Sequence, residues 1–108
     1  MISVIYDRRD FTLTVRGHAN TAEYGHDLVC AAASVLLHTY SAAADLLYNR
    51  GYVKRINRDI ESGKSCIGVE VAPDYVDVVR LALDSVVSGY EFLSARYEDA
   101  IEFLSVQG

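Results

Sequence analysis

The sequence predicts an α+β fold: a small antiparallel sheet with two helices packed on it, in the order ββαββα, with a last strand if the alternation near residue 101 marks one. Three observations carry this expectation. Four short runs alternate apolar and polar residues with period two, as half-buried strands do. Two longer segments place apolar residues at helical spacing. The strand-like runs also come in pairs joined by short polar turns, which makes the members of each pair antiparallel neighbours.

Ile2, Val4 and Tyr6 alternate and give the first strand. Asp7-Arg8-Arg9-Asp10 holds no glycine, so a turn of about four residues is expected rather than a tight one. Phe11, Leu13 and Val15 then alternate with Thr12, Thr14 and Arg16, a second strand with one wet face. Gly17 ends it. That glycine is able to take a backbone angle other residues avoid, just ahead of His18, although an ordinary strand-end glycine is the plainer alternative.

From Leu28 to Asn49 the pattern is helical, with an apolar stripe of Leu28, Ala31, Ala32, Val35, Leu36, Ala43, Leu46 and Leu47. Asp27 stands where an N-cap belongs, which makes Cys30 the third residue of the first turn. Asn49-Arg50-Gly51 is the stop. Tyr52–Ile60 and Ser65–Val71 read as two more strands around the turn Glu61-Ser62-Gly63-Lys64, with Cys66, Gly68 and Glu70 on one face and Ile67, Val69 and Val71 on the other. Pro73 is tolerated at the start of the second helix, whose stripe includes Val76, Val79, Leu83, Val86, Val87, Tyr90, Leu93 and Tyr97. Gly89 inside it costs about 1 kcal/mol against alanine, so a close backbone contact is expected there. Ile101 and Phe103 alternate in a way that suggests a short final strand.

At 108 residues the chain is expected to be a single domain over residues 1–108, large enough for one core. A hydrophobic fraction of 51% is too high for a disordered chain. The sequence shows neither an apolar run near 18 residues nor a charged-then-apolar leader, so no membrane association and no export signal are expected. A cytoplasmic location follows as the expectation, and with it reduced thiols at Cys30 and Cys66. The net charge of −5 leaves no basic stripe to offset phosphates, which argues against direct nucleic-acid binding. An acidic surface would still attract a basic peptide.

The chemistry concentrates in Gly17–Ser34. His18 and Cys30 come from two different elements on either side of one loop, the layout a thiol nucleophile and its base need. Near a helix start, exposed N–H groups and the macrodipole favour a thiolate and can bind an oxyanion. The plainer reading of Cys30 is a small buried thiol on an apolar helix face, and of His18 a strand-end histidine in water. Asp27 either caps the helix or orients the His18 ring, capping being the stronger positional preference; a carboxylate near Cys30 would oppose thiolate formation. Ser34 lies one turn beyond Cys30 on the same face, placed to hydrogen-bond a thiolate or substrate, or else the Cys30 carbonyl. Gly25 can absorb a backbone change in the loop Ala19–His26, which is expected to act as a gate ordered by substrate; a rigid connection with Tyr24 packed down is the alternative. His26, four residues before Cys30, could be read with His18 as half a metal site, but the cysteine-rich spacing of structural zinc is missing. Neither a metal nor any other cofactor is expected.

The same residues carry a resemblance. Gly17-His18-Ala19, followed by Gly25-x-Asp27-x-Val29-Cys30-Ala31-Ala32-x-Ser34, resembles the signature of the bacterial ribosomal-processing cysteine proteases, the Prp family. The resemblance implies that His18 and Cys30 are the catalytic pair, that Ser34 supports the site, and that the architecture is the small α+β layer inferred above. It also implies a homodimer and a substrate: the N-terminal extension of large-subunit ribosomal protein twenty-seven, cut after an aromatic residue. A non-catalytic ribosome-associated binding module of the same fold is the competing expectation. A binder, however, has no need of both His18 and Cys30.

Overall fold

The computed structural model describes residues 1–18 and 26–107, with the side chains of His26 and Asp27 outside that set. The elements are β1 (Ile2–Asp7), β2 (Thr12–Arg16), α1 (His26–Asn49), β3 (Val53–Glu61), β4 (Lys64–Val71), a short 3-10 turn (Pro73–Tyr75) leading into α2 (Val76–Arg96), and β5 (Ile101–Val106). They build one five-stranded sheet in the order β3-β4-β2-β1-β5, and the α+β layer architecture is as expected. One detail differs. The sheet is mixed, because β5 pairs with β1 in parallel, while β1·β2, β2·β4 and β3·β4 are antiparallel. Short turns dictate only the sense of the strands they join. β5 follows α2, and the helix carries the chain back so that β5 runs the same way as β4 and β1.

The β1–β2 turn needs no glycine because its polar groups are satisfied locally. The Asp7 carboxylate accepts from the Arg9 main-chain N–H at 3.0 Å and from the Arg9 guanidinium at 2.9 and 2.8 Å, which holds that carboxyl below its usual range. Phe11 is a turn residue rather than the first residue of β2, and it adopts φ +57, the sign L-residues usually avoid. Three contacts hold it there: its ring is buried, the Arg80 guanidinium lies 4.8 Å from the ring centroid, and its carbonyl accepts the Tyr40 hydroxyl at 2.7 Å. Burial pushes the Tyr40 phenol well above its ordinary value.

α1 lies over the sheet on a face rotated from the one its apolar pattern suggests. Val29, Ala33, Leu37, Tyr40, Ala44 and Leu47 are buried, whereas Leu28, Val35 and Leu46 are 55%, 64% and 55% exposed. The helix is apolar almost all round, so spacing alone does not single out the inner side. For the same reason its stretch Leu28–Asn49 is long and apolar enough to cross a membrane by length and composition, contrary to the expectation from the sequence. In the fold it is the helix that covers the sheet and packs beside α2.

α2 buries Val79, Leu83, Val87, Tyr90 and Leu93 of its expected stripe, with Val76 and Val86 half-buried at its edge and Tyr97 exposed. The Tyr90 hydroxyl donates to the Ala33 carbonyl of α1 at 2.9 Å. Gly89 permits a close contact, but with a side chain rather than backbone: a Cβ there would lie 2.5 Å from Leu36 Cδ2. On the far edge, Arg58 of β3 reaches back to α1, donating to Ser41 Oγ at 2.7 Å and pairing with Asp45. At the opposite end of the sheet, Asp84 of α2 accepts from the Tyr6 hydroxyl at 2.9 Å and from Arg8 at 2.9 Å.

Two outcomes are expected from this packing. Tyr40→Phe orphans the buried Phe11 carbonyl in a turn and should cost about 1–3 kcal/mol. Tyr90→Phe should cost less, about 0.5–1.5 kcal/mol, because the Ala33 carbonyl lies mid-helix and keeps its bond from Leu37. Urea unfolding of both variants checks the order. Gly17 takes φ +89, and a Cβ there would collide with the Met1 carbonyl oxygen. Gly17→Ala should therefore lose about 1–3 kcal/mol, read as a lowered Tm.

Candidate active site

The site forms where β2 ends. β2 lies between β1 and β4, and both ladders run on past its last residue. On one side Ser3 pairs with Arg16, and the same register continues to the Met1 nitrogen, which donates to the His18 carbonyl at 3.0 Å. On the other side Arg16 pairs with Lys64, and the Gly17 N–H donates to the Gly63 carbonyl at 2.9 Å. The chain at Gly17–His18 is therefore fixed by main-chain bonds from two neighbours, although it lies beyond the strand. The His18 side chain itself is exposed.

α1 supplies the opposite wall. Cys30 is half-buried, next to the core residue Val29, and Ser34 follows one turn later on the surface. His18, Cys30 and Ser34, expected together from the sequence, line one cavity of about 300 Å³. Gly17 lines it too. Ile2, Val15, Ala33, Leu37 and Ile60 give it an apolar side, and Glu61, Ser62, Lys64, Ser65 and His38 give it a polar rim. At this volume, near the lower end for ligand pockets, it suits a few side chains of a peptide rather than a large cofactor.

Two expectations about the helix start need correcting. α1 begins at His26, so by its backbone Asp27 is the second helical residue and not the cap. Cys30 is then the fifth helical residue, one turn in, rather than the third. The reason is that the helix extends two residues further towards the loop than the apolar stripe does. The thiol nonetheless leans back over the first turn, because Cα–Cβ bonds in a helix tilt toward its N-terminus. The first-turn N–H groups, which lack intrahelical acceptors, are thus on the side towards which Cys30 leans.

Gly25, and the gate expected over Ala19–His26, fall on residues outside the described set apart from the backbone of His26. The side chains of Asp27 and His26 are also outside it, and the ring-orienting role expected as the alternative for Asp27 falls there with them. Among the described residues no three His, Cys, Asp or Glu side chains cluster as a metal site. Neither Cys30 nor Cys66 is in a disulfide. Cys66 lies exposed on the open sheet face, within 3.7 Å of the Thr14 hydroxyl that donates to it.

Two further contributors, His38 and the β3–β4 turn, also line the cavity. His38 lies four residues after Ser34 and eight after Cys30, so the same helical spacing that singled out Ser34 pointed to it as well. The β3–β4 turn had no such signal. It reaches the site only because β4 pairs with β2, a contact across about fifty residues of sequence.

Comparison with known proteins covers nearly the whole chain. The family model for cysteine protease Prp matches residues 1–102. Two crystal structures of the essential ribosomal processing protease Prp from S. aureus superpose with TM-scores of 0.72 and 0.71, at 22% identity, covering 97% of this chain and 99% of theirs. The first of those proteins carries a covalently linked product peptide and the second a substrate peptide. SMU.848 from Streptococcus mutans superposes with a TM-score of 0.66 at 19% identity, covering 99% of this chain and 93% of its own. A comparison with curated proteins finds no match. With the family pattern spanning nearly the whole chain and the fold shared end to end, this chain belongs to the Prp family of cysteine proteases.

Proposed function

We propose that this protein is a ribosomal-processing endopeptidase of the cytoplasm, which removes the N-terminal extension of large-subunit ribosomal protein twenty-seven with Cys30 as nucleophile and His18 as general acid and base. The observation that carries this reading is that His18 and Cys30, from β2's end and α1, line one cavity in a chain of the Prp family. The S. aureus proteins of the same fold, described as ribosomal processing proteases and bound to substrate and product peptides, support it further.

In this mechanism His18 takes the Cys30 proton and the thiolate attacks the scissile carbonyl carbon, whose π electrons move onto oxygen. First-turn N–H groups of α1 hold the oxyanion. The intermediate collapses, the C–N bond breaks, and His18 gives its proton to the leaving amine. Water then attacks the thioester with His18 as base, releasing the acid and restoring the thiol. Ser34, one turn along α1, hydrogen-bonds the thiolate or the incoming peptide. The apolar side of the cavity suits an aromatic or aliphatic residue before the cut. An exposed thiol at Cys66 suits a reducing compartment.

The protein acts as a homodimer. Support comes from the outer face of α1, where exposed Leu28, Val35 and Leu46 alternate with small residues such as Ala31 and Ala42.

Incubation with precursor ribosomal protein twenty-seven from the same cell, read by intact mass, tests the activity. The precursor should lose its N-terminal segment, and an unchanged mass overturns the substrate assignment. Cys30→Ala should stay folded and leave the precursor whole. His18→Ala should lower turnover by about two to four orders of magnitude, the usual contribution of a general acid–base group. Cys66→Ala should cleave normally. Val35→Glu should shift the protein from dimer to monomer in sedimentation velocity, and a monomeric parent protein would end the dimer proposal.

A further inference from the structure

We propose that Gly63, in the β3–β4 turn, is a positioning residue for His18: the imidazole rests against its α-carbon, and any side chain there drives the ring from its place in the cavity. A Cβ built on Gly63 would collide with His18 Nε2 and lie 3.0 and 3.1 Å from Cε1 and Cδ2. The space a side chain would take is already filled by the ring. The neighbouring main chain is tied down at the same point, since the Gly17 N–H donates to the Gly63 carbonyl at 2.9 Å. One residue therefore fixes both the backbone ahead of His18 and the position of its ring. Both residues line the cavity that also holds Cys30.

Gly63 has φ +78, which by itself favours glycine. The contact must therefore be separated from backbone strain, and the chain supplies the control. Gly51, just beyond α1, has φ +81, yet a Cβ there meets nothing within 4 Å. Asparagine tolerates this backbone region better than other L-residues. Gly63→Asn and Gly51→Asn thus impose similar strain, and only the first displaces His18.

The catalytic half of the inference rests on the His18–Cys30 assignment proposed above, while the packing half does not. In the unaltered protein, nuclear Overhauser effects should connect the His18 ring protons to the Gly63 α-protons, and their absence overturns the proposal without any variant having to fold. In Gly63→Asn the His18 ring resonances and titration midpoint should shift, and in Gly51→Asn they should stay as in the parent. Cleavage by Gly63→Asn should fall at least about tenfold in kcat, part of the two to four orders a general acid–base group supplies. KM should change little, and the histidine limb of the pH–rate profile should move. Gly51→Asn should keep parental kcat at a similarly lowered Tm. If Gly63→Asn turns over like Gly51→Asn, or leaves His18 resonances unmoved, Gly63 does not position the ring. Moved resonances in a protein whose parent cleaves nothing would instead count against the protease mechanism and leave the contact standing.

Discussion

The antiparallel pairing of β2 with β4 is the constraint on which the rest depends. It joins two hairpins that would otherwise be separate, and it places β2 in the middle of the sheet. An isolated two-stranded hairpin is marginal in water, whereas a five-stranded sheet with one face covered is not. Its register, Arg16 opposite Lys64, also decides what stands beside the end of β2. Shifted by one residue, either Leu13 or Ile67 would leave the core, and both are fully buried. The hydrophobic core thus enforces the register, and the register in turn sets Gly63 against His18. Packing on one face of the sheet determines the geometry of the site at its end.

α1 answers two demands at once. Its inner line of Val29, Ala33, Leu37, Tyr40 and Ala44 is buried against the rest of the core, and its flank, Cys30, Ser34 and His38, forms a cavity wall. These lines are only one residue apart around the helix, so the position of Cys30 is fixed by the same contacts that hold the helix. Small residues make this workable. Ala33 and Ala44 let the backbone approach the core closely, and the Tyr90 hydroxyl can then reach the Ala33 carbonyl. Tyr40 does the equivalent on the other side, tying the middle of α1 to the β1–β2 turn through Phe11. The helix is clamped between α2 and a turn of the sheet on either side of its middle, away from its first turn.

Much of this was legible in the chain itself. Strand alternation in Ile2–Tyr6 and Ser65–Val71 is strong because one face of the sheet is buried and the other is wet, and the elements fall where it indicates. The GH…DxxC pairing pointed to the cavity, because it delivers a histidine and a cysteine from two elements that border the same space. Three things were illegible, each for a physical reason. The inner face of α1 was misassigned because Leu28, Val35 and Leu46 are as apolar as Val29, Leu37 and Leu47, and only the sheet distinguishes them. The parallel sense of β5 depends on where α2 returns the chain, which no local pattern encodes. Gly63 reads as an ordinary turn glycine, since its neighbour in space is forty-five positions away.

The way His18 is held bears on how a chain this small can carry the general acid and base proposed at that position. Where enzymes have room, a histidine is often oriented through its ring by a buried carboxylate, which needs a polar network to satisfy that charge. Here the main chain carries part of the load. The carbonyl of His18 and the N–H of Gly17 are bonded to strands on both sides, and the two glycines leave no space unfilled: one is backed by the Met1 carbonyl, the other by the ring. Backbone bonds of this kind extend a sheet that already exists, so they add little ordering cost beyond what the fold has met. They also fix only one end of the residue. The ring remains exposed except on the side where it meets Gly63. A base that must exchange protons with a thiol, a leaving amine and water in turn benefits from such an arrangement: anchored where it joins the sheet, limited on one side, and open to the cavity on the other.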